Sequence, residues 1–104
     1  MAQFDVYENE DADSNEHIPF LLDVQHSLHN DLATRVVVPL LSASLGEYGI
    51  KKLCPQFNII GRDVIMGTPE MAGYPARNLR NKVASLAEQR IEILAAVDFL
   101  LNGF

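Results

Sequence analysis

Hydrophobic and polar residues alternate at the start of the chain. Within QFDVYE (3–8), Phe4 and Val6 fall on one face and Asp5 and Tyr7 on the other, the period of a half-exposed strand. Charge then replaces pattern. The stretch ENEDADSNEH gathers Glu8, Glu10, Asp11, Asp13 and Glu16, and their mutual repulsion predicts an extended, solvated loop between two hairpin strands. IPFLLDVQ (18–25) and TRVVVPLL (34–41) are apolar, β-branched runs of strand length, expected as central strands. Pro19 suits a strand start, while Pro39, which has no N–H to donate, predicts a bulge or an edge in the second run. HSLHNDLA between them is polar and turn-like, with His26 and His29 at the surface.

Further on, SASLGEYGIKKLCP (42–55) carries Gly46 and Gly49 and reads as a loop with one helical turn. FNII and DVIMGT form a hairpin about Gly61 and Arg62, the glycine supplying the positive φ of a tight turn. Pro69, Gly73 and Pro75 exclude a long regular element from PEMAGYPARNLRN (69–81). The last segment has helical period. Ser85 and Glu88 match a capping box, so the helix is expected to start at Ser85. Ala87, Ile91, Leu94, Asp98 and Leu101 line one stripe, and Leu86, Ile93, Val97 and Leu100 the next. So wide an apolar face suits a helix packed on a sheet and on a partner. Asp98 interrupts it beside the negative helix end, so that residue either turns to solvent or has a task.

Period alone therefore gives a mostly β domain with one C-terminal α-helix, a single domain over residues 1–104. Composition narrows the function more than the fold. The formal net charge is −6, from 14 acidic and 8 basic side chains, which disfavours phosphate backbones as direct partners and favours protein. The start shows no basic region followed by an apolar one, and no apolar run nears the ~20 residues of a membrane span, so a cytoplasmic protein without a membrane partner is expected. Cys54 is the one cysteine, expected as a half-buried structural thiol rather than a nucleophile. His26 and His29 lack the companions of a zinc site, and the acidic loop lacks the spacing of a calcium loop. Nucleotide-loop, dinucleotide, zinc-protease and serine-hydrolase signatures are absent from the sequence. Three histidines, one cysteine and scattered carboxylates leave acid–base catalysis conceivable but unsupported.

In order along the chain, QFDVYEN, FLLDVQ, RVVVPL, LCPQFNI, IMGTPEMAGYP and a helix ending NGF resemble the CcdB-type toxins of ccd toxin–antitoxin modules. The most specific pieces are Gln3-Phe4-x-Val6-Tyr7, Asp23-Val24-Gln25, the run from Arg35 to Leu40, Met71-Ala72-x-x-Pro75, and the final x-Gly-hydrophobe. The resemblance implies an SH3-like barrel with an additional small antiparallel sheet, a homodimer, and no catalysis or cofactor. It implies binding to the dimerisation region of the DNA gyrase A protein, with trapping of the cleaved DNA complex. It implies neutralisation by a CcdA-like antitoxin that also uses the toxin as co-repressor, so that DNA is met only through that complex.

Carried over by position, the gyrase-binding residues would be Asp98, Leu101, Asn102, Gly103 and Phe104 at the helix end, with Gln3, Phe4, Tyr7 and Leu28. The family ending is Trp-Gly-Ile; Asn102 and Phe104 replace its outer residues. Asn cannot make the cation–π contact of a Trp, worth roughly 0.5–2 kcal/mol, or at most about thirtyfold in affinity. Asp98 stands for an Asn and His26 for a small polar residue, so recognition weakened or tuned to another host enzyme is implied. Structural readings stand beside these. Gly103 and Phe104 could form a helix cap whose trailing hydrophobe folds back, and Phe4 and Tyr7 could be barrel residues, as Phe4 is expected to be. Arg35 is expected in an ion pair. Two other classes remain open: an endoribonuclease on the same barrel, and a homologue that keeps only antitoxin binding.

Overall fold

Among the described residues, seven short strands hydrogen-bond into one curled antiparallel sheet: β1 (Asp5–Glu8), β2 (Phe20–Asp23), β3 (Thr34–Ser42), β4 (Gln56–Ile59), β5 (Arg62–Met66), β6 (Ala72–Pro75) and β7 (Lys82–Ser85). A C-terminal helix, α1 (Arg90–Asn102), follows. The computed structural model describes residues 1–45 and 49–104. The sheet runs β4-β5-β3-β2-β1-β7, and β6 is added to β3. Side chains in register cross its concave face in rows. Val6 stands opposite Leu22 and Leu22 opposite Val38, while Phe20 faces Leu40 and Leu40 faces Met66. These residues, with Ile93 and Ala96 of α1 laid over them, form the main core. The result is mostly β with one C-terminal helix, as the resemblance implied, with the sheet curled into a half-barrel. The additional small sheet that the resemblance implied is not separate: β6 joins the one sheet through β3.

β3 is long because it serves three neighbours. It pairs with β2 over residues 37–40, with β6 over 34–37 and with β5 over 40–42. Pro39 sits where β6 has ended and β5 has not begun. Its carbonyl accepts from Gly67 N–H at 2.8 Å on that edge, so its own nitrogen faces the gap and its missing N–H deprives no strand. The register with β2 runs through unbroken. Pro39 thus marks a handover between partners rather than a bulge or an outer edge.

Several expectations are corrected. β1 is buried on both faces, with Asp5, Val6 and Tyr7, and Phe4 just before them, all at most 5% exposed. A second cluster of Tyr7, Leu21, Val37 and Leu79 covers the convex side, and period two within β1 could not reveal it. The acidic loop is a tight turn, not an extended one. Ser14 and Asn15 donate backbone N–H groups to Asp11 O, and the Asp11 carboxylate accepts from Asp13 N–H and Ser14 Oγ. Short-range side-chain-to-backbone bonds outweigh repulsion that water screens. β6 and β7 are elements that the sequence pattern does not predict. Gly73 and Pro75 obscure β6, while β7 covers residues 82–84, which carried no expected element, and takes Ser85 from the helical reading by pairing with β1, Ala84 opposite Val6.

That pairing also moves the helix start. Ser85 Oγ accepts Ala87 N–H at 3.2 Å, but the N-cap position falls on Leu86, ahead of a single 3-10 turn (Ala87–Gln89). α1 begins at Arg90 without a side-chain cap, so the expected capping box at Ser85 does not start the helix. Of the two apolar stripes, Ile93 is buried and Leu94 and Val97 pack partly, while Ile91 is 85% and Leu101 67% exposed. Cys54 is buried rather than half-buried, and burial pushes its thiol pKa up, as befits an inert thiol. The loop after β3 has a 3-10 turn at Ala43–Leu45; Gly46 lies outside the described residues.

The hairpin turn falls one residue earlier than expected. Ile60 and Gly61 both have positive φ, 44° and 87°, the type I′ signature. Gly61 tolerates this, but a β-branched Ile does not. Ile60 is also 71% exposed, so little packing offsets the strain. Replacing Ile60 with Asn, which accepts left-handed backbone, is expected to stabilise by about 1 kcal/mol, raising the thermal midpoint by roughly 4–8 °C. A lowered midpoint in differential scanning calorimetry would contradict this reading of the turn.

Candidate functional site

The candidate residues fall at two ends of α1. At its start, residues 2–5 form a turn in which Asp5 N–H donates to Ala2 O at 3.1 Å and Ala2 N–H to Asp5 Oδ2 at 3.0 Å. This holds Phe4 at φ 73°, a strained value for a non-glycine residue. The Phe4 ring is 2% exposed, with the Arg90 guanidinium 5.6 Å from its centroid. Gln3 ties three segments together. Its amide Nε2 donates to Val24 O at 3.1 Å, its Oε1 accepts from Arg90 Nη1 at 3.0 Å, and its backbone N–H reaches Ser27 Oγ at 3.4 Å. Beside it a 3-10 turn (Ser27–His29), capped by His26 Nδ1 accepting Leu28 N–H at 3.0 Å, holds Leu28 78% exposed.

Tyr7 is 5% exposed. Burial, reinforced by the charges of Asp5 and Asp23, raises its pKa above the ordinary tyrosine value. Of this group, Gln3 and Leu28 reach the surface, while Phe4 and Tyr7 lie inside and shape it from below.

At the other end, Asp98 turns to solvent and Leu101 and Asn102 are exposed. Gly103 then adopts φ 80°, its N–H donating to Phe99 O at 2.9 Å. A Cβ there would meet nothing within 4 Å, so backbone conformation rather than space calls for glycine. Phe104 is 83% exposed. The glycine half of the cap reading holds, but the trailing hydrophobe does not fold back onto the helix.

From Arg90 to Asn102 the helix rises 1.5 Å per residue, so about 18 Å separates the two groups. Within one chain the structure joins Gln3, Phe4 and Leu28, and separately Asp98 with residues 101–104, but does not bring the two sets together.

Sequence reasoning missed Arg90, which locks Gln3 to α1, and the partners of Arg35. Arg35, 1% exposed, pairs with Asp23 at 2.7 Å, so the expected ion pair is present. An acid within the apolar run FLLD was the available signal for its partner. Elsewhere, a cleft of about 560 Å³ is lined by Glu8, Glu10, Glu16 and Arg62 among others. Carboxylates there oppose phosphate binding. Among the described residues, no His, Cys, Asp and Glu cluster could hold a metal ion, and no helix is long and apolar enough to cross a membrane.

No individually curated protein matches the chain. The family model described as CcdB protein matches residues 3–103, from the Gln3 that ties the first turn to α1 through to the Gly103 that ends it. With that match spanning nearly all 104 residues, and with the half-barrel and helix in place, the chain belongs to the CcdB family of toxin–antitoxin toxins.

Proposed function

We propose that the chain binds the dimerisation region of the DNA gyrase A protein through the end of α1 and poisons the enzyme, with no catalytic activity of its own. A CcdA-like antitoxin neutralises it and uses it as co-repressor, so contact with DNA is indirect. The working form is a cytoplasmic homodimer. Ile91, 85% exposed nearer the start of α1, offers an uncovered apolar side chain that such an assembly would use. The separation of the two groups of candidate residues gives a reason for it, since a second copy is the simplest way to place both before one target.

The observation that carries the reading is Phe104, an aromatic held out 83% exposed beyond a glycine cap. An exposed aromatic at a helix end contributes nothing to the core, and aromatic anchors dominate many protein interfaces. The test is binding to an isolated gyrase A dimerisation fragment, comparing the full chain, Phe104→Ala and a chain lacking residues 102–104. Phe104→Ala is expected to weaken binding roughly thirtyfold, the equivalent of a hot spot of about 2 kcal/mol, and the truncation to abolish it. The Phe104→Ala midpoint should not move, because that side chain is exposed. The truncated chain, which also loses the Gly103 cap on Phe99 O, should stay folded with a slightly lower midpoint. Undiminished binding by the truncated chain would remove the helix end from the interface. Failure of the full chain to bind would remove gyrase and leave the antitoxin as partner.

A further inference from the structure

Leu28 stands on a segment with no apolar anchor. Its 3-10 turn contains no buried residue, and Leu28 and Leu32 are 78% and 54% exposed. What fixes this loop is a set of polar bonds converging from below. The Arg35 guanidinium donates through Nε to Asp23 Oδ2 at 2.9 Å, through Nη2 to Gln25 O at 2.8 Å, and through Nη1 to Asn30 Oδ1 at 2.5 Å. The other Asp23 oxygen, Oδ1, accepts Gln25 N–H at 3.0 Å. The Gln25 side chain completes the frame, taking Val36 N–H on Oε1 at 2.9 Å and giving Nε2 to His29 O at 3.1 Å. Both ends of the loop are therefore tied to one guanidinium, which the sheet itself holds rigid and almost wholly out of water.

The geometry points to Arg35 as a positioning residue for partner recognition: with Asp23 as its counter-ion and Asn30 as its contact in the loop, it holds the 25–30 segment so that Leu28 is presented in one conformation. The inference rests on the reading of Leu28 as a partner contact. Its physical content is pre-organisation, since a loop already fixed in its bound shape loses less freedom on binding. An Arg suits this task where Lys would not, because the planar fork addresses Asp23, Gln25 and Asn30 in fixed directions at once.

Removing Arg35 itself would strand the buried Asp23, so the test acts on the far end of the frame. Asn30 is exposed, and Asn30→Ala removes one acceptor while leaving the ion pair whole. Amide relaxation by NMR is expected to show residues 27–32 passing from the rigid range, with order parameters of about 0.85, to below about 0.6 in Asn30→Ala. The thermal midpoint should be unchanged. Asn30→Asp, which keeps the acceptor, should restore the rigid loop. In binding to the gyrase A fragment, Asn30→Ala is expected to weaken affinity about tenfold in the wild-type background and not at all in a Leu28→Ala background, because it acts through Leu28.

A loop as rigid in Asn30→Ala as in the wild type overturns the inference, and so do additive losses in the two backgrounds. If the unaltered chain does not bind gyrase, the proposed function fails. The relaxation data then decide by themselves whether Arg35 positions the loop.

Discussion

Arg35→Met is expected to destabilise the fold by about 3–5 kcal/mol, and adding Asp23→Leu to recover most of that loss. The first change leaves an acid that is 0% exposed without the cation bonded to it, and an unpaired buried charge has roughly this cost. The second removes the stranded charge. Replacing both members of a buried ion pair with apolar groups is often close to neutral, because two desolvation penalties vanish with the attraction.

The loss should also depend on pH with a definite sign. Burial raises the Asp23 pKa above the ordinary carboxylate value, while hydrogen bonding and charge from Arg35, with the Gln25 N–H, oppose that rise. Without Arg35 the folded-state pKa climbs further. An acid whose pKa is higher folded than unfolded contributes stability that is complete below the unfolded value and disappears as pH rises through the folded one. Arg35→Met should therefore be weakest relative to wild type at about pH 7.5 and regain ground toward about pH 4, where Asp23 takes a proton. Urea unfolding of wild type, both single variants and the double variant at the two pH values measures each contribution. A double variant as unstable as Arg35→Met would show that the guanidinium supports the fold chiefly through its loop contacts instead.

What the chain disclosed in advance follows from how local each signal was. β2, β3 and the β4–β5 hairpin were visible because their residues favour strands by themselves, and α1 because its period persists over many residues. β7 was hidden because its identity as a strand comes from β1, at the opposite end of the sequence, and KVAS has no strong preference of its own. The convex cluster around Tyr7 and Leu79 was hidden for the same reason. In the candidate site, Gly103 could be read as a cap from its type and place, but whether Phe104 turned in or out depended on packing that no local pattern encodes. The partner of Arg35 was the opposite case: an acid in an apolar strand was a local signal for it, yet the pairing of Asp23 with Arg35 was missed. The distance between the two groups of candidate residues followed only once α1 was known to begin at Arg90, next to Gln3.

Two isoleucines of α1, close neighbours in sequence, should behave oppositely. Ile93→Ala is expected to destabilise by about 2–5 kcal/mol, the range for truncating a buried aliphatic side chain, whereas Ile91→Ala should stay within about 0.5 kcal/mol of wild type in the isolated chain. Ile93 is 0% exposed and sits in the core cluster with Val6, Leu22 and Val38; Ile91 is 85% exposed. The loss at Ile93 is a large part of the roughly 5–15 kcal/mol that holds a typical domain together. It falls on the contact that seats α1 over the sheet, so the position of Asp98 and of residues 101–104 depends on it.

Unfolding in urea at two protein concentrations separates the possibilities. Ile93→Ala should lower the midpoint at both. Ile91→Ala should leave it unchanged when dilute and lower it when concentrated, if a second copy covers that stripe, because association stabilises only the folded chain and does so by mass action. Equal losses at Ile91 and Ile93, independent of concentration, would mean that α1 presents a different face to the sheet. The open stripe would then be part of the fold and not a surface for a partner.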